Sequence, residues 1–189
     1  YEGIAYIEGK ACLADGGVAV GDSFIRAPKI VIATGGRPSA PPIPGLDEVN
    51  YLTSTSLLEL DALPKSLIVV GGGFIGVELA QMMARMGVAV SLVCRSRLLP
   101  QAEPEVSDAL MGVFQGEGMR LHCGVAYDAC RQDAASVTLC VKEDGAVVEL
   151  RAEKLLIATG RAPNVEGLGL AEASIVQDGR GAIVVELAE

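Results

Sequence analysis

Residues 66–95 read SLIVVGGGFIGVELAQMMARMGVAVSLVCR. Two short, β-branched apolar runs, Ser66–Val70 and Val88–Val93, predict buried strands. Apolar side chains recur between them with the period of one helix face, at Ile75, Leu79, Met82, Met83 and Met86. Gly87 follows where such a helix would end. The stretch therefore predicts a strand, a helix and a second strand in succession.

The turn between the first strand and the helix fits the pattern GxGxxG. It consists of Gly71, Gly72, Gly73, Phe74, Ile75 and Gly76. Between a strand and a helix, this pattern is typical of dinucleotide-binding folds. Gly71 permits a sharp turn, Gly73 lets a pyrophosphate approach the backbone, and Gly76 lets the helix pack closely on the strand. The pyrophosphate would lie at the helix N-terminus. The alternative is a glycine turn that only packs.

The end of the second strand indicates which dinucleotide is bound. An NAD site carries Asp or Glu about 20 residues after the glycines, where it holds the ribose hydroxyls. This chain instead has Cys94, followed by Arg95, Ser96 and Arg97, with no carboxylate before Glu103. Guanidinium groups suit a 2′-phosphate, so the residues predict NADPH. The alternative is that Arg95 and Arg97 are a solvated loop pair.

Composition restricts the class of protein. The chain is 50% hydrophobic, yet glycines break its apolar stretches well before the ~20 residues of a membrane span, which predicts a soluble globular protein. A net charge of -9 argues against nucleic acid or an anionic membrane as the main partner. The five cysteines lack metal-site or disulfide spacing, so we predict no metal site and a reducing cytoplasmic location.

Two of the cysteines have neighbours in sequence that could make them reactive. Adjacent strand residues point to opposite faces, which disfavours a catalytic dyad of His122 and Cys123. Cys94 beside two arginines could have a lowered pKa, but the sequence shows no resolving partner for it. No catalytic residue is therefore predicted in this chain.

The remaining patterns complete an α/β fold. Further strands are predicted at Lys29–Ala33, 137–141, 147–150 and 155–158, and a helix from Pro104 to about Gly116. Asp144-Gly145 predicts a tight hairpin, and hence an antiparallel β-ribbon beside a central parallel sheet of Rossmann type.

A short internal sequence repeat predicts the domain organisation. Residues 29–38 (KIVIATGGRP) and 154–163 (KLLIATGRAP) have nearly the same sequence. Residues 38–47 are proline-rich, which excludes a helix or a central strand there. The repeat predicts that one domain is inserted within the sequence of another, with a repeat copy at each crossing between them. We expect residues 48–165 to form an NAD(P)H-binding domain, with 1–47 and 166–189 as parts of another domain.

These motifs together resemble the NADPH-binding part of the flavin-dependent pyridine nucleotide disulfide oxidoreductases, over nearly all 189 residues. Within that family, SAPPIPGL at 39–46, TSTSLLEL at 53–60 and ELAQMMARMG at 78–87 resemble phrases of the mercuric reductases. Dihydrolipoamide dehydrogenase-like and glutathione reductase-like proteins are alternatives within the family. A non-catalytic dinucleotide-binding sensor is the alternative from another class.

The resemblance implies a hydride path from NADPH through FAD to a cysteine pair and, in mercuric reductases, to Hg(II). It implies that Phe74 and Glu78 border the nicotinamide, that Arg95 is a phosphate-binding arginine and that Arg97 is a less securely matched one. Gly160 would lie where the nucleotide domain closes on the flavin domain. Thr34 and Gly35 would lie near FAD.

Several parts of the family pattern are absent from these 189 residues. They are the FAD-binding GxGxxG, the CxxxxC pair, the later Gly-Asp contact with FAD and the dimerisation domain with its catalytic histidine. The first residue is Tyr1 rather than Met, so we expect a piece excised from a longer homodimeric enzyme. This piece would bind NADPH without turning over, and its flanks at 1–47 and 166–189 would lack their flavin-domain partners.

Overall fold

The structure is a computed structural model that describes residues 3–186. Its strands are Ala11–Ala14 (β1), Gly17–Val20 (β2), Ser23–Arg26 (β3), Gly36–Pro38 (β4), Ser66–Val70 (β5), Ala89–Cys94 (β6), Arg120–Cys123 (β7), Ala126–Gln132 (β8), Val137–Glu143 (β9), Ala146–Ala152 (β10), Lys154–Ile157 (β11) and Arg161–Pro163 (β12). Its α-helices are Ser54–Leu58 (α1), Phe74–Arg85 (α2) and Pro104–Gly116 (α3), and a 3₁₀ helix spans Leu46–Glu48.

The chain forms two compact units. The central unit consists of residues 38–160, and the outer unit combines the described parts of 1–37 and 161–189. The divisions thus fall at residues 37/38 and 160/161. Ile43 and Leu46, from the proline-rich segment, are buried in the core of the central unit. The assignment of the two units to NAD(P)H-binding and FAD-binding domains stays a prediction.

A parallel sheet is the centre of the central unit. Its strand order is β11-β5-β6-β7, with every neighbouring pair parallel. Helix α2 connects β5 to β6 and helix α3 connects β6 to β7, as parallel neighbours require. The predicted α/β fold class is confirmed. The predictions for β5, β6, β11, α2 and α3 are confirmed as well, with α3 beginning at Pro104 and ending at Gly116.

Both faces of the parallel sheet are buried. Leu67 and Val69 of β5 pack in one core cluster with α2 and α3, while Ile68 and Val70 pack in a second cluster with the antiparallel strands. All four side chains are fully buried. This two-sided burial explains why β5 is a continuous apolar run rather than an alternating one.

The predicted ribbon is a three-stranded antiparallel sheet of order β10-β9-β8. Asp144 and Gly145 connect β9 to β10 with φ values of 49° and 82°. Two successive positive φ values match the right-handed twist of the flanking strands. The hairpin prediction is confirmed.

The prediction of a strand at Lys29–Ala33 is wrong. These residues have no regular structure, and Val31 is 87% exposed. A strand requires a neighbour to pair its amides and carbonyls, and none in residues 3–186 pairs with this stretch. The outer unit instead has the antiparallel sheet β1-β2-β3 and the pair β4 and β12. Strands β1–β3 were not predicted from the sequence.

A capping box begins helix α1. The Thr53 hydroxyl accepts a hydrogen bond from the Ser56 amide at 3.3 Å, and the Thr53 amide donates to the Ser56 hydroxyl at 2.9 Å. Replacing Thr53 with alanine leaves one of these amides without its partner, so we expect the free energy of unfolding to fall by about 1 kcal/mol. Urea denaturation measures this change. Thr55→Ala, at an exposed position in the same helix, is the control; an equal loss there would contradict a role for the cap.

No helix within residues 3–186 has both the length and the apolar character needed to cross a membrane.

Candidate functional site

The glycine turn lies between β5 and the first turn of α2. The Gly71 amide donates to the Val93 carbonyl at 2.8 Å, and the Gly72 carbonyl accepts from the Leu99 amide at 2.6 Å, so both sides of the turn are held by neighbouring backbone. Helix α2 has Gly73 at its N-cap, and no side chain caps it. The first amides of a helix have no partner within the helix, so this end presents free N–H groups and the positive end of the helix dipole.

Three of the glycines serve different purposes. Gly71 has a φ of 126°, and an added Cβ there would overlap the Ala158 carbonyl. A Cβ on Gly76 would overlap the Gly71 carbonyl, so only glycine lets α2 pack this closely on the end of β5. A Cβ on Gly73 would meet nothing within 4 Å. The space above Gly73 is therefore open for a ligand to approach the backbone.

A cavity of about 620 Å³ opens above this turn. It lies at the carboxyl ends of β5, β6 and β11, which is where ligands bind in open parallel sheets. Eight of the predicted site residues line it: Gly71, Gly72, Gly73, Phe74, Ile75, Arg95, Arg97 and Gly160. Gly76 and Glu78 are not in its lining. Glu78 is exposed on α2, in its second turn.

The two arginines have different surroundings. Arg95 directly follows β6, and its side chain is exposed at the cavity. Arg97 donates from Nη2 to the carbonyls of Pro100, at 3.2 Å, and Ala102, at 2.7 Å. The Arg97 guanidinium therefore holds the loop that follows β6. Arg95 presents its charge to the cavity.

Phe74 is the first residue of α2 and is 66% exposed beside the cavity. An aromatic ring left this exposed contributes little to a core. Its position allows it to cover a planar group bound at the turn.

Thr34 and Gly35 belong to the outer unit, whereas the other predicted site residues belong to the central unit. The Asn164 side chain donates to the Thr34 carbonyl at 3.1 Å, and the Asn164 amide donates to the Gly35 carbonyl at 3.0 Å. Gly35 has a φ of 67°, a left-handed conformation that favours glycine. The turn after Ala33 is thus held by Asn164.

Tyr127 also lines the cavity, although no motif in the sequence predicts it there. Tyr127 is in β8, next to a register shift between Tyr127 and Ala129 in the pairing with β9. Irregularities of this kind re-aim side chains near binding sites. Burial raises the pKa of the Tyr127 phenol to about 12, with the nearby Cys94 adding to the rise and Arg95 opposing it. Tyr127 is therefore a neutral hydrogen-bonding group at neutral pH.

The raised pKa of Tyr127 predicts a pH effect on stability. The phenol has an ordinary pKa of 10.0, so above that pH the unfolded chain loses this proton before the folded chain does. The contribution of Tyr127 is complete below pH 10.0, and it decreases as the pH rises to about 12. Denaturation at a series of alkaline pH values measures it. Tyr127→Phe should remove this part of the pH dependence; an unchanged profile would contradict the assignment.

The sequence shows no resolving partner for Cys94, but the structure places a second thiol beside it. Cys94 of β6 and Cys123 of β7 are directly paired in the parallel register, and the Cys94 thiol donates to the Ser96 carbonyl at 2.9 Å. His122 instead contacts Glu143, with 2.9 Å between Nδ1 and Oε2, as expected if His122 and Cys123 form no dyad. Among the described residues, no three His, Cys, Asp or Glu side chains are grouped as a metal site would require.

Comparison with known proteins identifies the family. The sequence model of the pyridine nucleotide-disulphide oxidoreductase family matches residues 1–188 of this chain. Mercuric reductases from Streptomyces lividans and Bacillus cereus are 41% and 44% identical to this chain over 94% and 89% of its length, and the chain covers 36% and 27% of them. The HOCl-induced flavoprotein disulfide reductase RclA from Escherichia coli matches with a TM-score of 0.84 and 32% identity, over 95% of this chain and 41% of that one. The chain therefore belongs to the pyridine nucleotide-disulphide oxidoreductase family.

Proposed function

We propose that the central unit binds NADPH and belongs to a flavin-dependent reductase of the mercuric reductase type. Family membership implies a flavin and a pyridine nucleotide as cofactors. The observation that carries the choice of NADPH is Arg95, a cation at the end of β6 where an NAD site would carry a carboxylate. The chain covers about a third or less of the mercuric reductases it resembles, so the reaction of the whole protein is part of the proposal.

The residues around the cavity fit NADPH. The uncapped N-terminus of α2 supplies amides for the pyrophosphate, and the open space above Gly73 lets the phosphates approach them. The exposed guanidinium of Arg95 would hold the 2′-phosphate by charge-assisted hydrogen bonds. Arg97 would act on the nucleotide mainly by holding the loop that carries Arg95 in place.

At the other end of the nucleotide, Phe74 would cover the nicotinamide and exclude water from its face. Glu78, on the same helix, would border the ring in the complete enzyme. Tyr127, neutral at physiological pH, would donate a hydrogen bond within the cavity. When bound, NADPH supplies the hydride that the flavin accepts.

In the complete enzyme, we propose that Thr34 and Gly35 of the outer unit lie beside FAD. The electrons would pass to a redox-active cysteine pair and then to Hg(II). None of the five cysteines of this chain has the CxxxxC spacing of that pair, so this chain alone should bind nucleotide without reducing a metal. We further propose a cytoplasmic homodimer, in which the dimer contacts come from residues outside this chain.

Calorimetric titration of the chain with NADPH and with NADH, at the same ionic strength, tests the proposal. A charge-assisted contact with the 2′-phosphate should favour NADPH by about 1.5 to 3 kcal/mol, roughly 10 to 150-fold. Equal affinity for the two nucleotides would contradict the choice of NADPH. Binding of neither would contradict the cavity as a nucleotide site in this chain.

A further inference from the structure

Two thiols lie side by side at the carboxyl edge of the parallel sheet. Cys94 is the last residue of β6 and Cys123 is the last residue of β7, and the parallel register places them opposite each other. In parallel strands, residues in register have side chains on the same face of the sheet, so both sulfurs lie on one face. The two strands are separated in sequence by helix α3, so no spacing motif reveals the pair.

The surroundings shift the pKa values of the two thiols in opposite directions. A hydrogen bond from Cys123 lowers the pKa of the Cys94 thiol, against the opposing effect of burial, and the backbone of Ser96 and Gly124 lowers it further. The bond to Cys94 and burial raise the pKa of Cys123. Cys94 therefore loses its proton before Cys123 does. Cys94 also lines the cavity above the glycine turn, which gives the pair a route to solvent.

The sheet geometry places the two thiols close enough for both to bind one atom. Neighbouring strands lie about 4.7 to 4.9 Å apart. Disulfides join Cα atoms about 4.4 to 6.8 Å apart, so this spacing admits either a direct S–S bond or an atom bound by both sulfurs. Both cysteines are free. Among the described residues no third Cys, His, Asp or Glu joins them, which excludes the four-ligand cage that structural zinc requires.

We propose that Cys94 and Cys123 form a two-thiol binding site for a soft cation that prefers two sulfur ligands, with Hg(II) as its probe. Thiolates are the ligands that soft metals select. With mercuric chloride, two S–H bonds and two Hg–Cl bonds break, and two S–Hg bonds form. Two protons and two chloride ions leave to solvent. No oxidation state changes. The site is separate from the CxxxxC pair of the complete enzyme, which this chain lacks.

Retention of mercury against a competing monothiol tests the site. The reduced chain receives one equivalent of mercuric chloride without oxygen, is challenged with increasing glutathione, and is analysed by native mass spectrometry for bound mercury. Two tethered thiols gain from their high effective concentration, so the glutathione needed to remove half the mercury should be about 100-fold lower or more for Cys123→Ser than for the unaltered chain.

The control removes two other thiols. Cys130 and Cys140 are buried on adjacent strands β8 and β9, so the double variant Cys130→Ser/Cys140→Ser has the same number of thiols as Cys94→Ser/Cys123→Ser. We expect the first double variant to retain mercury as the unaltered chain does, and the second to lose it. Cys123 is only partly buried, so Cys123→Ser keeps the test valid if replacing Cys94 prevents folding. Unchanged retention by Cys123→Ser, or loss with Cys130 and Cys140 instead, would overturn the proposal.

Discussion

Replacing Gly76 with alanine is expected to lower the free energy of unfolding by about 3 kcal/mol, at the upper end of the range for overpacked sites. An added Cβ there would overlap the Gly71 carbonyl, which is backbone and has no rotamer by which to move away. Helix α2 would have to shift from the end of β5. Because that shift would move the first amides of α2, nucleotide binding should weaken together with stability.

Gly112→Ala is the matched control, since Gly112 also lies in a helix, α3. A Cβ on Gly112 would meet nothing within 4 Å. Alanine is the better helix former, so the free energy of unfolding should rise by about 0.5 to 1 kcal/mol. Urea denaturation of the two variants measures both changes. Opposite signs are the expected result, and equal changes would show that close packing of α2 is not the reason for Gly76.

Replacing Arg95 with alanine should remove most of the preference for NADPH. We expect the affinity for NADPH to fall by roughly 10 to 150-fold, the value of a charge-assisted contact of about 1.5 to 3 kcal/mol. NADH lacks the 2′-phosphate, so its affinity should change far less. Because Arg95 is exposed, salt screens its charge, and the preference of the unaltered chain should decrease as ionic strength rises.

Arg120→Ala separates this local contact from the change in net charge. Arg120 is exposed at the start of β7, and no residue of β7 lines the cavity. The substitution removes one positive charge, as Arg95→Ala does. It should leave the ratio of NADPH to NADH affinity unchanged. If both variants lose the preference equally, the long-range field of the protein causes it, and Arg95 has no specific contact.

The elements that could be predicted from sequence are those whose structure is determined by the local spacing of apolar residues and by turn residues. In residues 66–95, the spacing of apolar residues distinguishes the strand from the helix. The glycines of the turn between them are needed for close backbone approach. Asp144-Gly145 similarly carries its own turn geometry in its two residues. In both stretches, the interactions that decide the structure lie within about 30 residues along the chain.

The two nearly identical segments, 29–38 and 154–163, show that an apolar pattern alone does not determine whether a strand forms. Residues 154–157 form β11 because β5 is beside them, whereas Lys29–Ala33 has the same apolar pattern and no regular structure. A strand is completed by hydrogen bonds to a neighbour that its own sequence does not specify. Sequence pattern therefore predicts that a stretch is able to pair, and the rest of the fold decides whether it does.

The residues of the candidate site also differ in whether a local sequence pattern predicts them. Gly71, Gly73 and Arg95 could be predicted because a known motif fixes their spacing. Tyr127 and the neighbour of Cys94 were not found, because the register of β6 with β7 and the irregular pairing of β8 place them. Such long-range contacts have no counterpart in a local pattern.

We propose that NADPH lies across the glycine turn with its 2′-phosphate at Arg95. Mapping backbone amide resonances by NMR during titration with NADPH, and then with NADH, tests this most directly. Both nucleotides should shift the amides of Gly72, Gly73 and Phe74, and NADPH alone should shift those of Arg95 and Ser96, while α3 stays unchanged. Shifts confined to α3 or to the outer unit, or the same pattern at Arg95 with both nucleotides, would contradict the account.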